Sequence, residues 1–230
     1  YGDRGLLIQF EDHISKEISS QVKGYLSALR ELKHPAIQAT IPAFASISLM
    51  VDVNHTTLEE LKCVLDGLMS QPLVSKAARE IRIPVCYGGE FGPDLIALAN
   101  YQGMSVSQFI ELHHSTSYQV YMRGFIPGFA YLGDVPSSKP TPRLKNARLR
   151  VPKGSIALAG FQTAIYPSSI AGGWQIIGHT PLGMVKEGEH PPFLIDLDDL
   201  IRFIPISLSE HEELSRKRKA GQLNWEDYYG

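Results

Sequence analysis

The chain has 230 residues, 43% apolar and 20% charged, with a formal net charge of −2. That is the balance of a folded globular protein of one large or two small domains, and it supplies no field to draw in nucleic acid or an anionic membrane. Two cysteines, Cys63 and Cys86, give no disulfide framework or metal cluster, charged Asp3, Arg4, Glu11 and Asp12 leave no apolar signal-peptide core near the start, and no apolar run nears the roughly 20 residues that span a bilayer, so the expectation is a cytoplasmic protein with reduced thiols.

In chain order, "GLLIQF" reads as a short strand. Ile14, Ile18, Val22, Leu26 and Leu29 then recur at helical spacing, predicting an amphipathic helix over about residues 14–33 that Pro35 closes. "QATIPAFASISLMVDV" alternates as one or two strands, with Pro42 at a strand start or bulge. Thr57 with Glu60 has the capping-box spacing, and Leu58, Leu61, Leu65 and Leu68 continue into a second helix. "REIRIPVCY" is the next strand, so the first 85 residues read strand, helix, strands, helix, strand: a small α+β unit with two helices on one face of a sheet. After Tyr87 the texture changes. "GGEFGPD" is a turn that places Pro93 in the first turn of a short helix. Ser105 and Gln108 open a second helix that ends near His114. From Tyr118 to about Arg202 the chain is rich in glycine, proline and β-formers, the pattern of a compact barrel or sandwich. The segment with "SRKRK" reads as charged and mostly exposed.

Several chemistries lack their sequence signatures. No G-x-x-x-x-G-K-S/T, G-x-S-x-G, HExxH or paired C-x-x-C occurs, so nothing in the residues supports a P-loop, a nucleophile elbow or a metal site. His113 and His114 are adjacent and point in different directions on a helix; the plain reading is an exposed or core-edge pair. "KPTPRLKNARLRVPK", Lys139 to Lys153, has six basic residues and no acid. It suits either a solvated edge strand or an anion site built on guanidinium groups. "GFIPGFAYLG", Gly124 to Gly133, clusters aromatics and glycines that fit a core or a pocket wall.

Four blocks in order, "IPVCYGGEFGPDL", "YMRGFIPGFAYLG", "PRLKNARLRVPKGSIALAG" and "FQTAIYPSSIAGGWQIIGHTP", with "GDRGLLIQFED" near the start, resemble the 5-oxoprolinase B-subunit family, also called the KipI or allophanate hydrolase subunit 1 family. The resemblance implies a ferredoxin-like α+β domain over 1–85 and a cyclophilin-like β-barrel over 86–230. It implies ATP-dependent opening of 5-oxoproline to glutamate together with the A and C subunits, with ATP shared with or supplied through a partner. It places Gln162, Thr163, Tyr166 and Trp174 at a substrate site and Arg143, Lys145 and Arg148 at an anion site; His113 and Glu90 are weaker candidates for proton handling. One family member inhibits a sporulation histidine kinase, and related segments occur in the carboxyltransferase region of urea carboxylase, so a kinase-binding module and a carboxyltransferase half are the alternatives. The exposed apolar stretch "IPAFA", with Pro42 and Phe44, would be the patch for a kinase. A cyclophilin-like barrel does not by itself imply prolyl isomerisation. The chain departs from the family pattern at Ala147, at Lys153 within "PKGS", and at Ala164, Ile170 and Ala171, where loop backbones lose a proline or a glycine.

Overall fold

The computed structural model describes residues 2–69, 78–124, 126–186, 192–197 and 199–230. It divides into two compact units, Tyr1–Ala77 and Ala78–Gly230. The class is mixed α+β.

The first unit contains β1 (Gly5–Gln9), α1 (Lys16–Leu32), β2 (Ile37–Pro42), β3 (Ser46–Val51) and α2 (Leu58–Met69). Its three strands form an antiparallel sheet in the order β1-β3-β2. Alternation buries Ile8, Ile47, Leu49 and Val51 on one side, with Ile18, Val22, Leu26 and Leu29 of α1 and Leu61, Leu65 and Leu68 of α2 completing the core. Ser15 caps α1 by accepting from the Ile18 N–H at 3.2 Å. Thr57 and Glu60 form the expected reciprocal cap, with distances of 2.9 and 3.2 Å. Tyr25, fully buried on α1, donates its hydroxyl to the Leu65 carbonyl at 2.9 Å and so ties the helices together. Pro42 ends β2 rather than starting or bulging a strand. A ferredoxin-like β-α-β-β-α-β order needs a fourth strand after α2. Residues 70–77 lie outside the described residues, and the next strand belongs to the second unit.

That strand is β4 (Glu80–Tyr87). The order of elements along the chain suggests that it closes the first unit; its hydrogen bonds place it in the barrel instead. The second unit continues with α3 (Leu95–Gln102), α4 (Val106–His114), β5 (Ser117–Arg123), β6 (Ala130–Gly133), β7 (Arg148–Val151), β8 (Ser155–Ala159), β9 (Gln162–Ile165), β10 (Ile170–Gly172), β11 (Gln175–His179), β12 (Leu200–Pro205) and α5 (Leu208–Lys219). Seven strands close into a barrel in the order β11-β4-β12-β5-β6-β9-β8. All neighbours are antiparallel except β4 and β12. β7 and β10 form a separate two-stranded ribbon. Ile81, Ile83, Val85, Val120, Leu132, Ile156, Leu158, Ile165, Ile201 and Phe203 are fully buried core residues contributed by these strands.

Ser105 and Gln108 cap α4 as expected. Pro93 lies just ahead of α3, whose N-cap is Asp94, instead of inside its first turn. The charged segment is mostly exposed, as expected, and much of it is helical: it includes α5, opened by a Ser207–Glu210 capping box. None of the described helices is long and apolar enough to cross a membrane.

Candidate functional site

Strand alternation divides the residues that the sequence grouped. On β9, Thr163 is fully buried and points into the barrel, where it meets His113. Gln162 and Ala164 share the opposite parity and face outward. Ala164 belongs to an outer cluster with Ala157 and Ala159 of β8, Ile176 of β11, Phe129, Val151, Tyr166 and Trp174.

Inside the barrel, His113 is fully buried at the end of α4 and stacks on Phe203 at 4.6 Å. Its Nε2 lies 3.1 Å from the Thr163 hydroxyl, which itself donates to the Ala157 carbonyl; its Nδ1 lies 2.7 Å from the Tyr87 hydroxyl. The proton therefore sits on Nε2, and the Tyr87 hydroxyl donates to Nδ1. Burial, reinforced by neighbouring His114, pushes the His113 pKa down to about 3. His113 is thus a neutral, fully partnered core group, not an exposed or core-edge one. Nominated for proton handling, it is enclosed with no exposed ring atom to offer a substrate. Glu90 is exposed on the 3-10 turn Gly89–Phe91, and its charge acts on Cys86 and His211, not on His113.

The outer face is where the other nominees gather. Register aligns Tyr131 with Ala164, Ala164 with Ala157 and Ala157 with Ile176 across four strands. The alanines in this row are fully buried, and Tyr166 and Trp174 pack over them with Phe129 and Val151 as a second core on the outside of the barrel. Aromatic rings stand around the row: Phe129 is 4.9 Å from Tyr131, 5.5 Å from Tyr166 and 6.1 Å from Trp174, and Tyr131 is 6.0 Å from Trp174. The guanidinium of exposed Arg143 lies 6.0 Å over the Trp174 ring. Burial raises the Tyr166 and Tyr131 pKa values, opposed at Tyr166 by a backbone hydrogen bond from Trp174 and by Arg143 and Arg148, and at Tyr131 by Arg143. Both phenols keep their protons at neutral pH. Gly172 fits this face because a Cβ there would overlap the Tyr166 hydroxyl.

Arg148 stands beside this face and is already engaged. Its Nη2 donates to Asp94 Oδ1 at 2.7 Å, while Asp94 Oδ2 accepts from the Ile176 N–H at 2.6 Å. Its Nη1 is buried without a hydrogen-bond partner. Lys145 is exposed. The arrangement thus brings together Tyr166, Trp174, Arg143 and Arg148, sends Thr163 and His113 to the interior, and leaves Gln162 on the outer face at the start of β9. Sequence reasoning missed Asp94, Tyr131 and Tyr87 as members of these two clusters. Asp94 had a weak signal, an acid straight after a Gly-Pro turn, but its partner lies 54 residues away. Among the described residues, Glu11, Asp12 and His13 bring three possible metal-ligand atoms within 4.8 Å of one another; they are exposed and lie in the other unit.

A family model described as "Carboxyltransferase domain, subdomain C and D" matches residues 1–195. The chain is 34% identical to the 5-oxoprolinase B subunit of Bacillus subtilis, over 91% of this chain and 92% of that protein. It is 35% identical to the 5-oxoprolinase B subunit of Escherichia coli O157:H7, over 89% and 93%. The chain belongs to the 5-oxoprolinase B-subunit family. Among solved structures it resembles TTHA0988, with a TM-score of 0.80 and 31% identity; the match covers 89% of this chain but only 40% of that one. The Kluyveromyces lactis urea carboxylase, at 14% identity, shares the fold with a TM-score of 0.76 over 96% of this chain and 23% of its own. Tyr166 and Trp174 lie in the outer cluster.

Proposed function

We propose that this chain is the B subunit of an ATP-dependent 5-oxoprolinase, acting with the A and C subunits to convert 5-oxoproline to glutamate. The observation that carries the reading is the match, over 91% and 89% of this chain, to two bacterial proteins named as 5-oxoprolinase B subunits. The outer face supports it chemically. We place the small flat ring of the lactam against partly buried Tyr131 at the edge of the Tyr166–Trp174 cluster, with its carboxylate held by exposed Arg143. An unstrained amide resists water. Transfer of a phosphoryl group from ATP to the lactam oxygen makes the carbon electrophilic and the oxygen a leaving group; water then attacks, and glutamate, ADP and phosphate result. In this reading the nucleotide is shared with or supplied through a partner subunit. Its own residues bind and orient the ring, and proton transfer falls to groups outside the enclosed His113.

The test is reconstitution with the A and C subunits, following ATP-dependent glutamate formation with each component left out in turn. Full turnover without this chain overturns the reading. Arg143→Ala is expected to raise the KM for 5-oxoproline about 10-fold, the loss of one charge-assisted contact. A second reading rests on the family description: a carboxyltransferase-like half that receives a carboxyl group from a biotin carrier. It requires a biotinylated protein in the purified complex, and streptavidin blotting of that complex checks it.

A further inference from the structure

Away from the aromatic face, the second unit holds a cavity of about 660 Å³ beside its last helix, a volume that suits a small organic ligand. Pro181 and Val185 come from the chain after β11. Ser215, Arg218 and Lys219 come from α5 at the i, i+3, i+4 spacing that places side chains on one side of a helix. Gly221, Leu223 and Trp225 come from the segment that follows, and His179 lines the β11 end. No carboxylate is among these lining residues.

The wall is well anchored. His179 Nε2 donates to the Lys153 carbonyl at 2.8 Å, so its Nδ1 accepts from His211 Nε2 of α5, also at 2.8 Å. Phe91 packs on both rings, at 5.2 and 4.3 Å. Burial keeps both imidazoles neutral at pH 7, with His179 pushed down to about 4. The cations of the cavity are therefore Arg218 and Lys219.

Arg218 is also held in place. Its Nη1 donates to the Pro181 carbonyl at 3.0 Å. Its guanidinium lies against Gly183, where a Cβ would come 3.0 Å from Nη2. Nη1 carries the only side-chain hydrogen bond that Arg218 makes among the described residues, so its other N–H groups remain as donors for a carboxylate or phosphate. Lys217 pairs with Glu213 at 2.7 Å, but among the described residues neither Arg218 nor Lys219 has an ion-pair partner. Cations in a last helical turn offset the helix dipole. Arg216 and Lys217, outside the cavity, already do so; dipole compensation does not explain two unpaired cations on a cavity otherwise walled by Pro181, Val185, Leu223 and Trp225.

The geometry points to a binding site for a small organic anion: a carboxylate or phosphate held by Arg218, Lys219 and the Ser215 hydroxyl, with an apolar or aromatic body against Leu223 and Trp225. The inference is independent of the oxoprolinase reading and is tested on the full chain alone. The chain is titrated at fixed ionic strength with inorganic phosphate, AMP and benzoate, following the Arg218 Nε–H and Trp225 indole N–H resonances. Saturable shifts of both are expected, with AMP or benzoate saturating at lower concentration than inorganic phosphate; whichever binds tighter identifies the anionic group. Arg218→Ala should weaken binding about 10- to 100-fold. Since that change also frees the Pro181 carbonyl, Lys219→Ala is the companion variant, with a smaller loss and an unchanged melting temperature. The proposal is overturned by the absence of saturable shifts with all three probes, by equal affinity in Arg218→Ala, or by inorganic phosphate binding tightest.

Discussion

Arg148→Ala distinguishes a brace from a ligand contact. The Arg148 and Asp94 side chains are 28% and 13% exposed and 2.7 Å apart. Removing the guanidinium leaves a mostly buried carboxylate with only the Ile176 N–H as its partner. Breaking a fully buried pair costs about 3–5 kcal/mol, and an exposed pair is worth about 0–1 kcal/mol. This pair lies between those limits, so a loss of about 2 kcal/mol is expected. In a unit of this size that lowers the melting temperature by roughly 4–8 °C. The family resemblance puts Arg148 at an anion site; the Asp94 pair gives it a structural partner instead. Urea unfolding of Arg148→Ala, Asp94→Asn and the double variant measures the coupling. The double variant should be about 1–2 kcal/mol more stable than the sum of the singles predicts. Additivity within about 0.5 kcal/mol and an unchanged melting temperature would refute the brace.

Protonation should destabilise the fold in acid. His113 and His179 have folded pKa values of about 3 and about 4, against an ordinary 6.5, because burial disfavours the charged ring. The unfolded chain takes up these protons first, so their contribution is complete above about pH 6.5 and is lost as pH falls toward about 3, by up to about 1.4 kcal/mol per pH unit for each group. His113→Gln should flatten the dependence of unfolding free energy on pH by about one proton; an unaltered slope would count against the assignment. Gly172→Ala overlaps the Tyr166 hydroxyl and should cost about 1–3 kcal/mol of stability by overpacking, read as a lower urea midpoint. Lys33 caps α1 at a φ of 47°, so Lys33→Gly should stabilise the first unit by about 0.5–1 kcal/mol, and a lower melting temperature would contradict it.

What could be read from the sequence followed the range of each interaction. The caps at Thr57–Glu60 and Ser105–Gln108 are contacts three residues apart, and both are present. The Ser207–Glu210 cap has the same signature, obscured by the charge of the helix it opens. β4 was legible as a strand but not as a barrel strand, because its partners Leu200–Pro205 and Gly178–His179 lie about a hundred residues downstream. The site shows the same limit. The family blocks group Thr163 with Tyr166 and Trp174; the last two do share one cluster, while the pleat of β9 turns Thr163 inward to His113. The Arg148–Asp94 pair has no local signature at all.

The closing position of β12 bears on how the protein is made. A ribosome releases residues in order, and β12 fits between β4 and β5, both made well before it. Until residues beyond 205 emerge, the nascent barrel has two open edges: β4 with Ile81, Ile83 and Val85, and β5 with Tyr118 and Val120. The last strand then joins both at once, and Arg79, whose guanidinium donates to Asp199 through Nε and Nη2 at 2.9 Å each, latches the start of β4 to the start of β12 across 120 residues. Translation that stalls short of this point leaves a sheet with two unpaired edges, the kind of edge that invites pairing with other chains.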